Sequence, residues 1–142
     1  MKGYIVLSAS ILIQLCLGGV YAWSTFVPPL VESYGLTQAQ TQLIFGVTIA
    51  VFTISMIFVG RCQDKYGPAP VAFTGGILFG GGYFLASSSG GSFALLLLGI
   101  GIIAGAGIGF GYVCPIATCI KWFPKRKGMV SGLAVAGFGG GA

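Results

Sequence analysis

Charge is almost absent from this chain, and the positions where it does occur decide what the chain can become. The charged residues are Lys2, Glu32, Arg61, Asp64, Lys65, Lys121, Lys125, Arg126 and Lys127. Between Lys2 and Glu32, between Glu32 and Arg61, between Lys65 and Lys121, and beyond Lys127, the sequence carries no charge. Charged residues make up 6% of the chain, whereas a soluble domain carries roughly a quarter. No water-facing surface can be assembled from such a sequence. About 20 apolar residues cross a bilayer as a helix, so each of the first two runs fits one span. The third fits two, with a turn at residues 87–92 (SSSGGS), where small polar residues and glycines cluster.

The expected fold is all-α, a polytopic transmembrane helix bundle with four complete spans plus part of a fifth. The spans fall at about 4–30, 37–60, 70–86, 93–120 and 128–142. At about 1.5 Å per residue the last one reaches only about two thirds of a 30 Å core. It is expected to be truncated, which makes the sequence read as the front part of a longer membrane protein. A cleaved leader is the rival reading of the first segment, but its apolar character continues through WSTFVPPL, too long for a leader's core.

The charges also give an orientation. Basic residues stay on the cytoplasmic side of the translocation machinery. With the N-terminus inside, Lys2, the Arg61/Lys65 turn and the Lys121–Lys127 segment all lie in the cytoplasm, and the opposite turns hold only Glu32 and the serines. The expected location is the inner (plasma) membrane, multi-pass. The net charge of +5 then reports topology and an anionic inner leaflet as neighbour. It is not a nucleic-acid footprint, because the bases are not interleaved along a solvated element.

Within the spans, Gly101, Gly105 and Gly109 recur every four residues, as do Gly76 and Gly80. Small residues at this spacing let helices pack closely in lipid. Two polar stripes stand out as well. Gln14, Gly18, Tyr21 and Thr25 share one face of the first span, and Thr41, Thr48 and Ser55 recur every seven in the second. Such faces look toward a watered cavity or toward hydrogen bonds between helices. Thr37 and Gln40 have the spacing of a capping box at the start of span two. No ionisable side chain lies deep in a complete span, so this segment offers no salt bridge to a charged substrate.

Enzyme chemistry is not expected. The chain has no histidine, and Cys16, Cys62, Cys114 and Cys119 show no CxxC spacing. The cysteines read as small buried hydrophobes, with no metal and no cofactor implied. GFGGGA at the end matches a dinucleotide fingerprint by letter, but no strand precedes it.

The island GRCQDKYG, residues 60–67, resembles the G-x-x-x-D-[RK]-x-G turn between the second and third helices of the major facilitator superfamily. With GGVYAWSTFVPPL in span one and KWFPKRKGMVSGLAVAGFGGGA at the end, nearly the whole chain is similar to the oxalate/formate antiporter family within it. The resemblance implies the N-terminal half of a major facilitator fold, with residues 1–142 an incomplete six-helix bundle. It implies a secondary active transporter of small carboxylates, oxalate/formate or monocarboxylate, working by alternating access with a missing C-terminal half as partner. Asp64 would then accept hydrogen bonds from that half and latch the cytoplasmic side. Gly67 would make the turn, Gly60 would permit close contact, and Arg61 and Lys65 would anchor at the leaflet. Tyr21 and Tyr112 match aromatic positions around the substrate, and Gln14, on the same stripe as Tyr21, is a third candidate substrate-binding residue. Core packing is the alternative for each tyrosine. Pro115 is expected to kink span four.

The sequence departs from the pattern in places. PAP (residues 68–70) stands where a basic residue commonly follows Gly67, which leaves the charge relay around Asp64 incomplete. Val20 stands where oxalate-exchanging members have a glutamine. A membrane scaffold packing through its glycine faces is the alternative function.

Overall fold

A computed structural model describes Met1–Ala142. Span one, Lys2–Tyr34, comprises α1 (Lys2–Gly18), a 3-10 turn at Gly19–Ala22 and α2 (Trp23–Tyr34). Span two is α3 (Gln38–Tyr66), and span three is α4 (Pro68–Ser87). Span four, Phe93–Trp122, joins α5 (Phe93–Leu96), a π-helical stretch at Leu97–Ala104 and α6 (Gly105–Trp122). After a 3-10 turn at Pro124–Arg126, α7 runs from Lys127 to Gly140. The four spans are long and apolar enough to cross a membrane.

The helix ends follow from local chemistry, and several differ from the sequence expectation. Span one does not stop at Leu30. It passes through Pro28 and Pro29 to Tyr34 and closes at Gly35, whose φ is +68°. The prolines withhold hydrogen bonds from the carbonyls of Ser24 and Thr25, both exposed residues. The helical irregularity instead falls at Gly19–Ala22. Span two does not stop at Gly60 either, because residues 61–66 contain no breaker. The polar island is therefore the last turns of α3, and the loop is Gly67 alone, with φ +87° and its N–H donating to the Gln63 carbonyl at 2.9 Å. Pro68 then occupies the first turn of α4, where no N–H needs a partner.

The capping box at the head of α3 is present. The Gln40 N–H donates to Thr37 Oγ1 at 3.2 Å, and the Thr37 N–H donates to Gln40 Oε1 at 2.9 Å. Thr37→Ala is expected to cost about 1 kcal/mol, measured as a lowered midpoint of thermal unfolding in detergent.

Span four is the centre of the bundle, with half of its most apolar window buried against 22–28% in the other three. Its glycines face two ways. A Cβ on Gly101 would lie 3.1 Å from Val47, one on Gly105 3.0 Å from the Thr48 carbonyl, and one on Gly109 2.6 Å from Ser55 Cβ, all on α3. On the other side Gly99 packs against the Gly82 carbonyl, and Gly107 packs against the backbone of Gly75 and Phe79. The expected packing role of Gly76 and Gly80 is not seen, since nothing lies within 4 Å of a Cβ at either. The face of α4 that meets span four runs through Gly75, Phe79 and Gly82, so the four-residue repeat is out of phase with the contact.

Helix α7 lies along α1, where Gly18 meets the Phe138 carbonyl and Gly141 meets the Leu15 carbonyl. The basic segments gather at one end of the bundle. The Tyr4 ring meets Phe123 edge-on at 5.8 Å, and Pro68 and Ala69 share a cavity with Val6, Ala9 and Thr118. At the far end Gly91 of the serine turn packs on the Tyr34 ring.

Candidate functional site

Two breaks in regular packing bring the expected aromatic residues together. The 3-10 turn carries Tyr21, and the seam between α1 and α7 inserts Phe138 beside it. The Tyr21 and Phe138 rings meet edge-on at 5.2 Å, and Tyr112 of α6 meets the same Phe138 ring at 4.8 Å. Phe52 of α3 completes the cluster, 5.3 Å from Tyr112 and 5.9 Å from Phe138. Phe138 is buried, Tyr112 is half-buried and Tyr21 is 46% exposed, so the cluster has a closed back and an open lip. Tyr112 precedes Trp122 by ten residues, about 15 Å of helical rise and hence near the midplane of a 30 Å core.

Phe52 and Phe138 were not legible as site residues. The signal for Phe138 was the glycine-rich stretch at residues 137–141, which reads as a helix-packing segment once Gly18 is set opposite it.

The span-one stripe divides between two surroundings. Tyr21 and Thr25 are exposed. Gln14 is 0% exposed, and its Nε2 donates to the Tyr112 main-chain carbonyl at 3.2 Å. Its Oε1 is buried without a partner. In the span-two stripe, the two threonines spend their hydroxyls on main-chain carbonyls. Thr41 Oγ1 donates to Gln38 at 2.8 Å, and Thr48 Oγ1 donates to Ile44 at 2.8 Å and to Ile100 of span four at 3.4 Å. Trp23 Nε1 donates to the Thr41 carbonyl at 3.1 Å.

At the basic end Arg61, Asp64 and Lys65 are all exposed on the last turns of α3, and Lys65 Nζ lies 5.2 Å above the Tyr66 ring. Gly60, expected at a close contact, has nothing within 4 Å of a Cβ, because it lies on a face of α3 that meets no helix of this bundle. Gln63, which sequence reasoning passed over, is buried with its Oε1 unpartnered. Pro115 is buried inside α6, which continues through it to Trp122. Span four departs from α-helical hydrogen bonding further out, at Leu97–Ala104.

Chemically, two phenol groups on a membrane-embedded aromatic wall can donate hydrogen bonds to a small anion while the rings exclude lipid. They supply no countercharge.

Residues 9–142 match the family described as the Major Facilitator Superfamily. Among curated proteins the chain is 34% identical over 139 residues to the uncharacterised MFS-type transporter YhjX of Escherichia coli, covering 98% of this chain and 34% of that protein. It is 32% identical over 138 residues to the oxalate:formate antiporter of Oxalobacter formigenes, covering 96% of this chain and 32% of that protein. It is 30% identical over 135 residues to monocarboxylate transporter 13 of Bos taurus, covering 95% and 32% respectively. The chain thus spans about a third of the length of these relatives. A match along nearly all of the sequence, added to four bilayer-length helices with their bases gathered at one end, means that this chain belongs to the Major Facilitator Superfamily.

Proposed function

We propose that residues 1–142 form an incomplete N-terminal six-helix bundle of a secondary carrier, one that moves a small carboxylate by alternating access between two bundles. The observation that carries the reading is the cluster of Tyr21, Phe52, Tyr112 and Phe138, drawn from four different helices to one height near the middle of the spans. The names of the relatives, an oxalate:formate antiporter and a monocarboxylate transporter, favour carboxylates as the substrate class. Tyr21 and Tyr112 donate to the substrate, Gln14 stands behind Tyr112, and the cations that neutralise the substrate come from a second bundle. In this reading the basic end faces the cytoplasm of a plasma (inner) membrane, held by its anionic leaflet. The Arg61–Gly67 island serves the cytoplasmic gate, and Gly60 turns its open face to the second bundle.

Tyr21→Phe keeps the ring on Phe138 and removes one donor. Binding of radiolabelled oxalate, formate or pyruvate to the reconstituted protein is expected to weaken by about tenfold, the worth of one hydrogen bond to a charged group. A dissociation constant equal to wild type takes Tyr21 out of the site.

A further inference from the structure

Gln14 is held inside the bundle in a way that stability does not account for. Its Nε2 makes one hydrogen bond, to the Tyr112 carbonyl, and its Oε1 is enclosed with no donor. A methionine would fill a similar volume and strand no acceptor, so the amide is an expensive way to hold helices together. What the amide does fix is the height and rotation of span four at one residue, and that residue carries the Tyr112 ring. The point is well chosen mechanically. Pro115, three residues on, has no N–H to give the Gly111 carbonyl, so the ladder of α6 is open on this turn. Three helices converge here. A Cβ on Gly111 would lie 2.8 Å from the Leu17 side chain of α1, and one on Gly137 of α7 would lie 3.4 Å from Gln14 Cβ. The Tyr112 ring itself rests edge-on against Phe52 and Phe138.

We propose that Gln14 is the positioning residue of this site. It acts through the main-chain carbonyl of Tyr112, sets where the Tyr112 hydroxyl stands, and does so without touching the substrate. The inference rests on the reading of Tyr112 as a substrate contact, and the experiment separates the two.

The protein as the cell makes it is labelled with 3-fluorotyrosine, and wild type, Gln14→Met and Tyr112→Phe are compared. The resonance lost in Tyr112→Phe identifies Tyr112. In Gln14→Met that resonance is expected to move while those of the distant Tyr4, Tyr34 and Tyr66 stay. The midpoint of thermal unfolding in detergent is expected to be equal or higher, since a stranded acceptor has been removed. Binding of radiolabelled oxalate or pyruvate is expected to weaken by roughly fivefold to tenfold. A Tyr112 resonance that stays in place overturns the proposal, as does a lowered midpoint with every tyrosine resonance disturbed, which marks Gln14 as structural only. If Tyr112→Phe weakens binding and Gln14→Met does not, Gln14 alone is removed from the site. If Tyr112→Phe itself leaves binding unchanged, the reading of Tyr112 fails and the inference fails with it. If neither carboxylate binds wild type, the substrate class is wrong, and the fluorine shift still decides whether Gln14 holds Tyr112.

Discussion

Gly107→Leu is expected to leave little folded protein, with a loss of about 3 kcal/mol or more, out of a total that for ordinary domains is only about 5–15 kcal/mol. A Cβ on Gly107 would meet the Phe79 main-chain nitrogen and lie 2.8 Å from the Gly75 carbonyl. Both obstacles are backbone, so no rotamer change relieves the clash. Relief requires α4 and α6 to part, which also opens the contacts of Gly75 with Gly111 and of Gly82 with Gly99, with Cβ distances of 2.8 and 2.7 Å. In lipid those contacts have no hydrophobic substitute, because the alternative neighbour is equally apolar. Gly76→Leu is the matched control, since its Cβ points into open space, and it is expected to fall within about 0.5 kcal/mol of wild type. Unfolding in a denaturing-detergent titration reads both variants. Equal curves for Gly107→Leu and wild type would contradict the assigned seam.

Asp64→Asn is expected to slow exchange in proteoliposomes by roughly tenfold to a hundredfold, the population shift that follows when charge-assisted hydrogen bonds are lost from one of two states. The carboxylate stands exposed on the last turn of α3, with Arg61 and Lys65 beside it and Gly67 ending the helix. Its location suits a partner from the second bundle. Asparagine keeps the size and the helix, so folding is spared. The inner mouth is expected to stay open longer, read as faster labelling of a cysteine placed at Ala117, which lines a cavity beside Tyr112. Exchange and labelling at wild-type rates would remove Asp64 from the gate.

The spans were legible because a bilayer leaves a chain few choices: runs without charge become helices, and the seven bases mark one end. The close approach of Gly101, Gly105 and Gly109 to α3 was also legible, because three glycines in register define a face. The failure at Gly76 and Gly80 shows the limit of that argument. Spacing says that a smooth face exists, whereas the partner's position decides whether it is used, and here Gly75 and Gly82 meet span four instead. The helix ends were misplaced at Leu30 and Gly60 because proline and glycine were given more breaking power than they have at the ends of long apolar helices. At the candidate site, Tyr21 and Tyr112 were named through resemblance. Phe138 was missed because its placement depends on main-chain contact between α1 and α7: the glycine-rich stretch at residues 137–141 marks a packing face, but the sequence does not say which helix meets it. The π-helical turn at Leu97–Ala104 had no sequence signal, since leucine, isoleucine and glycine there suit an ordinary helix equally well.

The meeting of Gly18 with the Phe138 carbonyl, and of Gly141 with Leu15, puts bare polypeptide against bare polypeptide. At these two contacts no side chain stands between the backbones to absorb a small displacement by changing rotamer. In the proposed carrier, α1 and α7 are expected to move as one body, carrying with them Tyr21, on the 3-10 turn that follows α1, and Phe138 of α7.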